Sequence, residues 1–288
     1  MFKKILFATD LGPTSAQLIE SIPDPSRLGV EEVVLAHTIP LLTTSETEVP
    51  LIEEARGKLE GQASHVRAKG IRVTLELVVA LSARTFLDLA ERHDVSMIAL
   101  GTRFEGGQRG SMIGCTAYSI LHETIRPTLL VPLRPEKAPA DETAGPSEWP
   151  GRILYPTDFS DTADQALLYV ESLAGMTGCS VTLYHVHDQA RIDPYLRDRL
   201  PEFDRVDRQR MEKLREHLEF NGAGPCQVEL SYGVPAQRLL AMARSGDYGL
   251  IVMGTQGRGY MPEVFLGSTA NALARHSPIP VLFVPKRR

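Results

Sequence analysis

The sequence predicts an α/β protein built as two tandem open α/β sandwiches, each a five-stranded, mostly parallel sheet with four helices. Three observations carry this. First, the chain repeats itself: "KKILFATDLG" near the start answers "GRILYPTDFS" at 151–160, and "EVVLAHT" answers "SVTLYHV" at the same offset. The block "TLELVVALSARTFLDLAERHDVSMIALGT" answers "QVELSYGVPAQRLLAMARSGDYGLIVMGT" at a slightly longer offset, which "PTLLVP" and "PVLFVP" keep. Second, apolar β-rich runs alternate with helical patterns inside each copy. Third, strands such as "LIVM" are apolar without interruption, which suits a sheet covered on both faces.

The elements follow in order through the second copy. "RILYPT" reads as a strand and "DQALLYVESLAGMTG" as a helix, N-capped by Ser160 or Asp161. "SVTLYHV" is the next strand. "PEFDRVDRQRMEKLREHLEFNG" is a charged amphipathic helix ending near Asn221 and Gly222. Strand "CQVELSYG", helix "PAQRLLAMARSG", strand "YGLIVMGT", helix "STANALARHS" and strand "PVLFVP" complete it. In the first copy Pro23 and Pro25 are expected to shorten the first helix. The domains are read as 1–134 and 151–288, joined by a Pro-rich, charged linker at 135–150.

With 288 residues, each copy can bury its own core. A formal net charge of -5 argues against a nucleic-acid partner, which wants a basic surface. No apolar run approaches the ~20 residues that span a bilayer, so no membrane partner is expected. The opening "MFKKILFATD" carries two lysines, yet its apolar stretch ends at Asp10. That is short of a secretory core of roughly 7–15 residues, and it reads as a first strand. Cys115, Cys179 and Cys226 are too scattered for a disulfide framework or a CxxC metal site, so a reducing cytoplasm is the expected location.

In open α/β sheets ligands gather at the carboxyl ends of the strands, near the switch point. Asp158 ends the first strand of the second copy, Val186 lies at the end of the second, and Gly254 to Thr269 follows the fourth. Gly254 and Gly257 allow positive φ and let the backbone approach an anion without interference from a Cβ. Gly267, Ser268 and Thr269 open a helix, whose free N–H groups and dipole favour a phosphate. Asp158 is too acidic to face phosphates and is assigned to the nucleoside end. The alternative is that Asp158 only caps a helix and the glycines only serve turns.

The pattern Gly254-x2-Gly257-x9-Gly267-Ser268, with "DYGLIVMGTQGRG", "ARHSPIPVLFVP" and the "GVP" at 233–235, resembles the nucleotide-binding signature of the universal stress protein family. The likeness extends over both halves, as in a tandem member. It implies the strand order 3-2-1-4-5 and a bound ATP, with or without Mg. The adenine would lie near Asp158 and Val186, with Pro156, Thr157 and Met253 lining the pocket. The phosphates would rest on Gly254, Gly257, Gly267 and Ser268, with Thr269 adding a hydroxyl and Arg258 in reach.

The first copy departs from this signature. Phe104 stands where Gly257 does, Cys115 replaces Ser268, and "ALS" at 80–82 replaces "GVP", while Asp10, Gly101 and Gly114 are retained. ATP is therefore expected in the second domain, and weakly or not at all in the first. Gly106, Gly107 and Gly110 fit no defensible pattern. Cys115 reads as a small helix-start residue, with a thiol activated by the helix N-terminus as the alternative.

His185 and His187 lie two apart on one strand face beside Asp188, a partial metal pattern. No third ligand is positioned by sequence and His185 has a counterpart in His37, so no metal site is expected. The helix at 201–220 reads as a solvated face with i,i+4 ion pairs. The basic tail at 286–288 is too short to imply nucleic acid.

An ATP-binding stress-response regulator with little or slow hydrolysis is the preferred function, because the chain lacks GxxxxGK[ST] and Arg258 is the only basic residue in the loop. The alternatives are a genuine ATPase or phosphotransferase, and a scaffold whose first domain binds another ligand or metal. The resemblance also implies domains that pair through their fifth strands. "TLLV" (128–131) and "VLFV" (281–284) could pair within the chain, covering exposed edges, and a homodimer is expected.

Overall fold

The computed structural model describes residues 1–21, 28–39, 45–80, 83–103, 113–133, 150–193, 195–245, 248–257 and 266–286. The chain divides into two compact units, Met1–Pro139 and Ala140–Arg288. Residues 135–149 of the expected linker lie outside the described residues.

The first unit runs β1 (Lys4–Ala8), α1 (Ser15–Glu20), β2 (Glu32–Ile39), α2 (Ser45–Arg67), β3 (Arg72–Val79), α3 (Arg84–Arg92), β4 (Met97–Arg103), α4 (Cys115–Glu123) and β5 (Thr128–Leu133). Its sheet has the order β3-β2-β1-β4-β5, and every pairing is parallel. Helix α1 spans only 6 residues. Pro23 and Pro25 lie outside the described residues.

The second unit runs β6 (Arg152–Pro156), α5 (Asp161–Thr177), β7 (Val181–Asp188), α6 (Gln189–Ile192), α7 (Leu200–Phe220), β8 (Cys226–Gly233), α8 (Pro235–Ser245), β9 (Tyr248–Gly254), α9 (Ser268–His276) and β10 (Val281–Val284). Its order, β8-β7-β6-β9-β10, repeats that of the first unit. The 4-residue helix α6 is an addition to the expected elements.

Local chemistry accounts for these boundaries. Ser160 caps α5 by accepting the Ala163 N–H at 3.4 Å, and Asp161 and Asp164 sit in the first turn, where the helix dipole favours acids. Gly178 closes the helix in the left-handed region at φ 67°. Val170, Leu173 and Ala174 of α5 are fully buried, as are Ile153, Leu154 and Tyr155 of β6. The Tyr155 hydroxyl donates to Ala163 O at 2.9 Å, fixing the first turn of α5 over the strand. Among the described residues no helix is long and apolar enough to cross a membrane.

The units differ where each sheet changes direction. In the first, β1 and β4 pair as far as Ala8, the last residue of β1, and Leu100. In the second, β6 and β9 pair only as far as Leu154 and Ile251. The reason lies in one residue. The N–H groups of Ile153 and Thr157 donate to Ser180 and Tyr184 on the β7 side. Donors alternate along a strand, so residues 154 and 156 face β9, and Pro156 has no donor to offer. The ladder stops there and the strands part at their carboxyl ends.

Candidate functional site

The turn after β6 is written twice in the chain. Phe159 N–H donates to Thr157 Oγ1 (3.0 Å) and Ser160 N–H to Asp158 Oδ1 (3.1 Å). In the first unit Leu11 N–H donates to Thr9 Oγ1 (3.2 Å) and Gly12 N–H to Asp10 Oδ1 (2.9 Å). Leu11 and Phe159 both sit in the left-handed region, at φ 56° and 57°, which bulky residues rarely adopt. The histidines repeat too: His37 Nδ1 lies 2.8 Å from Thr9 O, and His185 Nδ1 lies 2.7 Å from Thr157 O. Turn and histidine are therefore scaffold.

Beyond the turn, the parting of β6 and β9 opens into a cavity of about 430 Å³, within the range of small-molecule sites, roughly 300–1,000 Å³. Pro156, Thr157, Asp158, Val186, Met253, Gly254, Gly257, Gly267, Ser268 and Thr269 all line it. Arg258 lies outside the described residues. The wall therefore gathers the ends of β6, β7 and β9 with the start of α9.

Neither Gly254 nor Gly257 has positive φ. What excludes a side chain is the protein itself. A Cβ at 254 would lie 2.8 Å from the Thr162 backbone and side chain, and one at 257 would lie 2.5 Å from Asp158 Oδ2. Gly254 lets β9 meet the first turn of α5, where Thr162 Oγ1 donates to Gln256 O. Gly257 brings its loop against the Asp158 carboxylate.

Helix α9 supplies the cavity's electropositive element. Its first intrahelical bond is Asn271 N–H to Gly267 O (2.8 Å), so the N–H groups of Ser268, Thr269 and Ala270 precede the helical ladder. All three residues line the cavity. Gly267 holds the entry with φ -63° and ψ 156°, and its own N–H donates to Thr255 O at 2.7 Å. The remaining charge is mostly acidic: Asp158, Asp188 and Asp207 line the cavity with Arg191, whose Nε lies 3.7 Å from Asp188 Oδ2.

Asp207 lies outside the expected set. Helix α7 reads in sequence as a solvated face, yet the Asp207 side chain is only 13% exposed and lines the cavity with Phe203. The detectable signal is its register. Phe203, Asp207, Met211 and Leu218 follow helical spacing, and Met211 and Leu218 are buried, so Asp207 occupies an apolar stripe. The i,i+3 pairs Arg199–Glu202, Arg210–Asp207 and Arg215–Glu212 of this region replace the expected i,i+4 spacing. Above the cavity, Tyr232 on β8 donates to Asp193 Oδ2 at 2.6 Å, holding the segment that follows α6 against the sheet.

In the first unit Gly114 and Cys115 repeat the helix entry, with φ -60° and ψ 151° at Gly114. Cys115 is exposed and offers a thiol where Ser268 offers a hydroxyl. Phe104, Gly106, Gly107 and Gly110 lie outside the described residues. Gly101, the counterpart of Gly254, is covered by Leu133, whose Cδ1 would lie 2.2 Å from a Cβ there. Strands β4 and β5 pair as far as Arg103 and Leu133, whereas β9 and β10 stop at Gly254 and Val284. That extension seats an apolar side chain over the glycine.

Comparison with known proteins agrees with this duplicated architecture. A sequence profile of the Universal stress protein family matches residues 1–132 and again 150–285. Universal stress protein MJ0577 of Methanocaldococcus jannaschii is 28% identical over 155 residues, covering 47% of this chain and 95% of its own. Universal stress protein Mb2019 of Mycobacterium bovis is 25% identical over 239 residues, covering 81% of this chain and 71% of its own. The crystal structure of a universal stress protein from Archaeoglobus fulgidus covers 100% of both chains with a TM-score of 0.75 at 24% identity, a likeness of fold.

Proposed function

The chain belongs to the universal stress protein family, with a family domain in each half, and from that premise we propose an ATP-binding stress-response regulator whose second domain holds the nucleotide. The observation that carries this reading is the meeting of two kinds of wall in one cavity. Pro156, Val186 and Met253 offer an apolar slot for a base, and the first turn of α9 offers unpaired N–H groups for phosphates. In this reading Asp158 accepts from the nucleoside, and Gly254, Gly257, Gly267, Ser268 and Thr269 frame the phosphates. The carboxylates lining the cavity make a polyphosphate dependent on added positive charge, from Mg²⁺ or from Arg258.

The test is calorimetric titration of the full chain with ATP. One site per chain is expected, and Gly257→Phe and Ser268→Cys, which copy the first domain, should each weaken it at least tenfold. Two equivalent sites, or no binding, would overturn the proposal.

Binding without efficient turnover is the form that fits. Fast phosphoryl transfer needs a phosphate-contacting Lys or Arg, a held metal and a group orienting the nucleophile. Arg191 is the only Lys or Arg among the described lining residues, and Asp188 lies against it. A single-turnover assay of wild type against Arg258→Ala distinguishes this from an ATPase. Rapid hydrolysis dependent on Arg258 would favour the enzyme.

We take the domains as 1–134 and 151–288, joined at 135–150, with β5 and β10 pairing within the chain and a cytoplasmic homodimer as the working form. Light scattering should give twice the 31.7 kDa chain mass. A monomer at micromolar concentration would refute the dimer.

A further inference from the structure

We propose that His185, His187 and Asp207 form a binding site for a divalent transition metal such as Zn²⁺, with a coordination position open to the cavity. One ligand atom from each lies within 4.8 Å of the others. The three come from β7 and α7, elements that pack on one another beside the nucleotide cavity but outside the glycine loop.

The tautomers carry the argument. His185 Nδ1 lies 2.7 Å from Thr157 O. A carbonyl only accepts, so Nδ1 carries the proton and Nε2 is the nitrogen suited to a metal. That Nε2 lies 3.6 Å from Asp207 Oδ2. His187 sits between two carboxylates: Nε2 is 2.7 Å from Asp204 Oδ1, and Nδ1 is 3.8 Å from Asp207 Oδ2. The Asp204 contact is short but out of line for a hydrogen bond, leaving His187 Nε2 a buried nitrogen without one. His187 thus presents a buried Nε2 with no hydrogen bond and an Nδ1 that lies near Asp207. Asp207 Oδ1 is engaged by Arg210 Nη1 at 3.2 Å, which directs Oδ2 to the imidazoles. A cation among these groups satisfies the acceptors together.

Spacing and chemistry agree. Ligands on a tetrahedral zinc, with bonds of about 2.0–2.1 Å, stand ~3.3 Å apart. The 3.6 and 3.8 Å separations from Asp207 are within a few tenths of an ångström of this, and the two imidazoles, within 4.8 Å of each other, close further on the ion. Two imidazoles and one carboxylate suit Zn²⁺ or Co²⁺ rather than Mg²⁺ or Ca²⁺, which prefer oxygen. The Thr157 carbonyl behind His185 is the usual outer support of a ligating histidine. All three side chains line the cavity, so a remaining coordination position faces it.

The first unit provides the contrast. His37 keeps the bond to its Thr carbonyl, but the residue two places on is Ile39, buried and apolar. His187 is therefore no requirement of the scaffold.

The experiment uses the full chain, stripped with a chelator and titrated with Co²⁺ and then Zn²⁺ without nucleotide, so its outcome is independent of ATP binding. One equivalent of Co²⁺ per chain should bind with visible d–d absorption, and Zn²⁺ should displace it. His187→Ile, copying the first unit, and Asp207→Asn, which keeps the side chain's shape, should each weaken binding at least tenfold. Circular dichroism checks that both variants are folded, and Asp207→Asn decides alone if His187→Ile is not. Absence of a stoichiometric site in wild type would overturn the proposal, leaving a histidine–aspartate ion-pair cluster. Unchanged affinity in folded Asp207→Asn would overturn it equally.

Discussion

Gly257 stands against Asp158 so closely that a Cβ at residue 257 would lie 2.5 Å from Oδ2 of the carboxylate. The obstacle is the end of a side chain, and side-chain ends can move. Gly254 meets a different obstacle: a Cβ there would lie 2.8 Å from the backbone carbon of Thr162 as well as from its side chain. Backbone does not swing aside. Two glycines of one signature are thus held for separable reasons, one by the site's carboxylate and one by packing of strand on helix.

These obstacles predict opposite outcomes for the same substitution. Gly254→Ala should lose about 1–3 kcal/mol, the usual cost of overpacking, seen as a lower urea midpoint. Gly257→Ala should leave the midpoint nearly unchanged, because displacement of Asp158 is offset by the reduced entropy of the unfolded chain, about 0.4–1 kcal/mol. It should nevertheless weaken ATP binding at least tenfold by turning the carboxylate into the cavity. Equal stability loss in both variants would refute the distinction.

Tyr155 predicts a local effect. Its hydroxyl donates to Ala163 O at 2.9 Å in a fully buried setting, and burial drives its phenol well above the ordinary tyrosine range. Tyr155→Phe keeps the ring and removes one buried hydrogen bond, for an expected loss of about 1 kcal/mol. The counterpart in the first unit is already Phe7, so the fold tolerates the change. Hydrogen exchange of the first turn of α5 should accelerate more than that of β6.

Cys226 predicts a pH dependence. Burial, aided by the Glu219 carboxylate, pushes its thiol up to about 11, and the thiol donates to Gly224 O at 3.4 Å. An unfolded cysteine ionises near ~8.5, so the folded chain keeps this proton longer than the unfolded one. The contribution to stability is complete below that value and is lost as pH rises through about 11. The urea midpoint of wild type should therefore fall more steeply above pH ~9 than that of Cys226→Ala. Parallel profiles would count against it.

Much of this molecule is legible in its residues, and the reasons are specific. Duplicated segments and unbroken apolar strands express themselves along the chain, so the strands and the correspondence of Asp10 with Asp158 can be read from it. Helix α6, with 4 residues, is too short to carry a periodic signal. The glycine roles stay hidden because a missing Cβ leaves no trace of what approaches it, whether a ligand, Thr162 or Asp158. Asp207 is hidden by composition: α7 is so rich in charge that one carboxylate in its apolar stripe looks like the rest.

Pro156 carries the last prediction. Its counterpart, Ala8, pairs with Leu100 and keeps β1 and β4 together, while the β6–β9 ladder stops at Leu154 and Ile251, short of Met253 and Gly254. Pro156→Ala restores an N–H directed at β9. The gain of a hydrogen bond, about 0.5–1.5 kcal/mol, is opposed by the loss of proline's restriction on the unfolded chain, about 0.4–1 kcal/mol, so stability should change little. The cavity should change more, because the strands can zip toward Met253 and narrow the slot proposed for the base. The expected result is an unchanged urea midpoint with at least tenfold weaker ATP binding, and new exchange protection at position 156. If the restored amide at that position exchanges freely while ATP affinity stays at the wild-type value, the parting of the strands has another cause.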